Sequence, residues 1–68
     1  MTYAETLFAL YLSTTGCPVA AHAATFNHIS NEASALTGSA KWRMDAELYN
    51  IPEPTKGQRE RASRCAAA

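Results

Sequence analysis

The chain has sixty-eight residues, six basic and six acidic, and a formal net charge of zero. That length allows one small domain, and neutrality argues against a protein that simply coats nucleic acid. Fourteen of its apolar residues are alanine, so large side chains are few and a lone subunit should be only marginally stable.

Thr2 and Glu5 form a Thr-x-x-Glu capping box: the hydroxyl accepts from the Glu5 amide while the carboxylate reaches back to Thr2. A first helix is expected over residues 3–13. At 100° per residue, Leu10, Tyr3, Leu7, Tyr11, Ala4, Phe8 and Leu12 span roughly 200°, wider than one partner helix covers. Gly16 suits the left-handed position after that helix, and Pro18 suits the first turn of the next.

The second helix is expected over residues 18–37, stopped by Gly38. Val19, His22, Phe26, Ile29, Ala33 and Leu36 alternate three and four apart, the spacing of a coiled-coil seam. Behind them lies a small-residue face of Ala20, Ala21, Ala24 and Ala35, with His28, Asn31 and Glu32. A hairpin of two helices cannot enclose both the seam and the wide arc, whereas a helical dimer can. Leu7, Phe8, Tyr11, Val19, His22, Phe26, Ile29, Ala33 and Leu36 are therefore the expected oligomer interface. His22 lies among apolar neighbours on that seam. Burial there would disfavour its charged form, so assembly should loosen on mild acidification.

Ser39 can cap a third, shorter helix over residues 40–50, which Pro52 and Pro54 end. The fold class read from these signals is all-α: a helical hairpin plus a short third helix, assembling as a dimer or higher oligomer. Residues 1–54 form the helical core. Residues 55–68 lack a large apolar side chain and read as a flexible tail, whose stretch 54–68 carries a net charge of +3.

Several chemistries find no support. Cys17 and Cys65 make no disulfide framework and read as reduced thiols. His22 and His28 are six apart and cannot share a metal on one helix, so neither metal nor cofactor is expected. The glycines form no phosphate loop and no catalytic set converges; the chain reads as a non-enzyme. The N-terminal apolar stretch is short and preceded by Glu5, not by a basic residue, so a soluble cytoplasmic protein with no membrane partner is expected.

Residues 34–48 loosely match a helix-turn-helix, with Gly38 at the turn and Leu36 and Met44 as anchors. Lys41, Trp42 and Arg43 would then open a recognition helix. With Lys56, Arg59, Arg61 and Arg64 they are the candidate contacts to a partner or to nucleic acid. The match is partial, because Ser34 stands where the motif prefers alanine and Asp45 and Glu47 fall on the groove side.

Residues 1–23, opening Met1-Thr2-Tyr3-Ala4-Glu5 and running through Gly16-Cys17-Pro18, resemble the small early proteins encoded in the exo–xis region of lambdoid temperate phages. So do residues 36–49, with Lys41-Trp42-Arg43-Met44. The resemblance implies a phage accessory protein acting through host or phage proteins, in the cytoplasm of the bacterial host. The expected function is thus a regulatory interaction protein that self-associates and binds an unidentified partner; the alternative is a small DNA-binding regulator.

Overall fold

A computed structural model describes residues 1–61. Among these the order is α1 (Tyr3–Thr15), α2 (Pro18–Ser34), α3 (Gly38–Glu47), a 3-10 turn (Leu48–Asn50) and α4 (Lys56–Glu60). No strand occurs among the described residues, as the all-α reading requires. Cys65 and Arg64 lie outside them.

Local chemistry accounts for most of the boundaries. The Thr2 hydroxyl accepts from the Glu5 amide at 3.2 Å and opens α1. The expected return arm is altered: the Glu5 carboxylate accepts a hydrogen bond from the Thr2 hydroxyl at 3.2 Å instead of reaching the backbone. Gly16 is left-handed (φ 66°), and its N–H closes α1 on the Leu12 carbonyl at 2.8 Å. Pro18 then fills the first turn of α2, where no N–H is needed. Helix α2 stops three residues earlier than expected, because the Ala35 and Leu36 amides turn back onto the Glu32 and Ala33 carbonyls. Gly38, also left-handed (φ 63°), begins α3 instead of ending α2.

Helix α2 is the central element, touching α1, α3, the 3-10 turn and α4. Its buried side chains are Ala21, Thr25, Ile29 and Ala33, each four residues from the last. That is an i±4 ridge, the row that packs into the grooves of a crossing helix. It replaces the expected alternation of three and four. Small residues on the ridge let the neighbouring backbones approach closely. The core is Ala4, Ile29 and Ile51, closed by the half-buried Leu7, Phe8, Met44 and Leu48. It draws on every element before α4.

This packing corrects part of the expected oligomer interface. Ile29 and Ala33 are buried within the chain itself, so no second subunit can reach them. Leu7 and Phe8 pack on the same internal core. The third helix supplies what a two-helix hairpin lacks, since Met44, Leu48 and Ile51 cover the inner side of α1 and α2. Of the seam, Val19, His22 and Leu36 stay half-buried and Phe26 is exposed. A single chain therefore does not enclose His22 in the dry seam assumed for its acid response.

The expected tail also departs from its reading. Thr55 accepts from the Gln58 amide at 3.2 Å, and the Gln58 carboxamide accepts from the Thr55 amide at 2.8 Å. This reciprocal capping box starts α4, which lies against α2. Residues 56–60 of the expected tail are thus helical, and residues 62–68 of it lie outside the described residues.

Candidate functional site

The outer side of α3 and of the 3-10 turn that follows it carries two strongly exposed aromatic side chains. Trp42 is 79% and Tyr49 92% exposed. With Asp45 and Ala46 they line an open cleft of about 370 Å³. The spacing 42, 45, 46, 49 places all four on one side of a helix, opposite Met44 and Leu48, which face the core. Helix α3 is thus anchored by its inner side and offers its aromatic side to solvent. Ala46 forms a low floor between the rings, and Asp45 contributes a carboxylate. Its Oδ2 accepts from Lys41 Nζ at 3.3 Å, both side chains being about half exposed.

The anchoring extends to the end of α3. Glu47 Oε2 accepts from the Ala4 backbone N–H at 3.0 Å, across 43 residues of sequence. That amide is one of the donors a helix N-terminus leaves without an internal partner. A carboxylate there also complements the positive end of the α1 dipole. The acidic Glu47, read at first as an obstacle to a DNA groove, instead fastens α3 to α1.

A second polar cluster joins α1 to α2. Tyr3 donates to Glu32 Oε1 at 2.5 Å, and His28 Nε2 meets the same oxygen at 2.5 Å. Tyr11 and His28 Nδ1 are 2.9 Å apart, their rings edge to face with centroids 5.9 Å apart. With the His28 proton assigned to Nε2, Nδ1 accepts from the Tyr11 hydroxyl. The hydrogen bond to Glu32, then burial, pushes the Tyr3 phenol up to about 12. Tyr11, His28 and Glu32 reproduce the bond order of a nucleophile, base and orienting carboxylate. Neither the α3 cleft nor a second cleft of about 270 Å³, lined by Gly16, Pro18, Gln58 and Arg61, includes any of the three. The cluster acts as a clamp between helices. Tyr11, expected at an oligomer interface, is engaged here.

The remaining candidate contacts divide into two sets. Lys41, Trp42 and Arg43 are exposed on the first turns of α3, just past the C-terminal end of α2. Lys56, Arg59 and Arg61 are exposed on or beside α4. Arg61 lines a cleft with Gly16 and Pro18 at the opposite end of α2, a helix about 25 Å long. Arg59 lies 3.9 Å from Glu53, and Arg61 Nε donates to the Gly57 carbonyl at 3.2 Å. Among the described residues the two sets form no common basic surface. Cys17 is buried at the start of α2. Among the described residues no group of His, Cys, Asp and Glu is arranged to hold a metal, and no helix is long and apolar enough to cross a membrane.

Comparison with protein-family models, curated proteins and solved structures finds no match for the chain.

Proposed function

We propose that the protein is a non-enzymatic interaction module that self-associates and regulates by binding another protein. One observation carries this reading: several of the largest apolar side chains are exposed. Leu10 is 62% and Phe26 44% exposed, in addition to Trp42 and Tyr49, while among the described residues Ile29 is the only large apolar one fully buried. Exposed aromatic clusters are the usual mark of a contact surface. Val19, His22 and Phe26, at i, i+3 and i+7 on α2, are the part of the seam left for a second copy. A two-fold pairing would set each such stripe against its equivalent. The aromatic side of α3 then remains for a different partner. The resemblance to exo–xis region accessory proteins adds a host or phage protein as the class of that partner.

The alternative, a DNA-binding regulator, draws on the three-residue connection between α2 and α3 and on exposed Arg43. It is weakened by Asp45 on the outer side of α3 and by the division of the basic side chains. Sedimentation equilibrium at about 10–100 µM tests self-association, which should hold most of the protein as dimer. Duplex binding that weakens steeply with added salt would favour the alternative. A duplex that stays unbound at low salt would leave the protein-binding reading.

A further inference from the structure

We propose that the cleft on the outer side of α3 is a receptor for an arginine side chain of a partner protein. This deepens, and rests on, the reading of α3 as a partner-binding face. Four residues define the chemistry. Trp42 and Tyr49 present two aromatic rings about two helical turns apart, and Ala46 keeps the space between them open. Asp45 supplies the one formal charge lining the cleft.

An aromatic face attracts a cation through its quadrupole, tryptophan most strongly. A guanidinium adds stacking and two parallel hydrogen bonds to a carboxylate, which an ammonium cannot match. A neutral apolar group would meet the rings but leave Asp45 with no partner beyond Lys41. The cleft therefore discriminates by charge as well as by shape. The present partner of Asp45 is Lys41, from the same helix four residues earlier. A half-exposed pair of this kind is weak, worth about 0–1 kcal/mol, so an incoming guanidinium displaces it at little cost. Lys41 then acts as an internal competitor for the site.

Trp42 is the chain's single tryptophan, so its fluorescence reports the cleft directly. The full chain is titrated with the peptide acetyl-Gly-Arg-Gly-Arg-Gly-amide and with versions carrying lysine, citrulline or leucine at both arginine positions. The expected result is a saturable change that is tightest with arginine, weaker with lysine and at least about fivefold weaker with neutral citrulline. Asp45→Asn should remove the preference for arginine over citrulline, Asp45→Glu should keep it, and Tyr49→Ala should weaken every peptide. Lys41→Gln should tighten arginine binding by about two- to fivefold, the reverse of what loss of a general basic patch would do. Unchanged circular dichroism shows that each variant is folded. Equal binding of arginine, citrulline and leucine peptides would overturn the arginine receptor while leaving α3 as a binding face. No saturable response to any peptide in the folded wild type would overturn both.

Discussion

At the scale of single residues, two side chains join distant parts of the chain, and each makes a distinct prediction. Glu47 is the acceptor for the buried Ala4 amide. Glu47→Ala should destabilise the fold by about 1–2 kcal/mol, and Glu47→Gln, which keeps an acceptor, by roughly half as much. Chemical denaturation of the three proteins checks this, and equal losses in both variants would mean that the charge, not the bond, matters. Tyr3 hydrogen-bonds to Glu32, and its phenol titrates near 12, above an ordinary value of 10.0. A raised folded value favours the neutral phenol in the native state. The contribution is therefore complete below about pH 10 and is lost as pH rises through about 12. Tyr3→Phe should delete a tyrosinate absorbance step near pH 12 and flatten stability over that window. Both contacts were hard to read in the sequence because they pair residues 29 and 43 positions apart. The His28–Glu32 half of the clamp was legible, being an i, i+4 pair, but it lay on a face read as a stripe of small residues.

At the scale of elements, capping chemistry placed α1 and the start of α2 well but not α3, which begins at Gly38 after Thr37 and is not capped by Ser39. The heptad pattern placed the core poorly. Thr2, Gly16 and Pro18 act as their residue types dictate. The same Thr-x-x-Glu/Gln rule marks Thr55 and Gln58, in a segment taken for a flexible tail on its lack of large apolar residues alone. On α2, apolar size suggested a seam through Phe26, whereas the buried row is Ala21, Thr25, Ile29 and Ala33. Thr25 and the alanines carry that row because closeness of approach, not side-chain volume, decides what fits between crossing helices. Ile29→Ala should therefore cost about 2–4 kcal/mol, against a total near 5 kcal/mol for a domain of this size. Thr25→Val should be close to neutral, within about 0.5 kcal/mol. The Thr25 hydroxyl bonds only the Ala21 carbonyl of its own helix, at 2.7 Å, and that carbonyl keeps its backbone partner. Thermal denaturation of both variants tests the packing of this ridge, of which Ile29, also a seam position, is the one large apolar member. A neutral Ile29→Ala would refute it.

At the scale of the whole molecule, a thin core and an apolar exterior are two sides of one arrangement. The fold measures 40 × 18 × 17 Å, so few side chains lie far from water, and the large ones are left for other surfaces. The all-α class was legible from capping signals and period alone. The α3 cleft was legible only in part, since Trp42 was singled out but Tyr49 was not. Tyr49 lies on the same face through the 42, 45, 46, 49 spacing, yet it falls in the 3-10 turn beyond α3, close to where the helix was expected to end. The central claim is that Ile29 belongs to the chain's own core while Phe26 belongs to its contact with a second copy. Sedimentation velocity at about 50 µM, with circular dichroism on the same samples of wild type, Phe26→Asp and Ile29→Asp, tests it most directly. The account predicts a helical dimer, a helical monomer and an unfolded chain, in that order. A wild type that is already a compact monomer, or a Phe26→Asp variant that sediments as the wild type does, would contradict it.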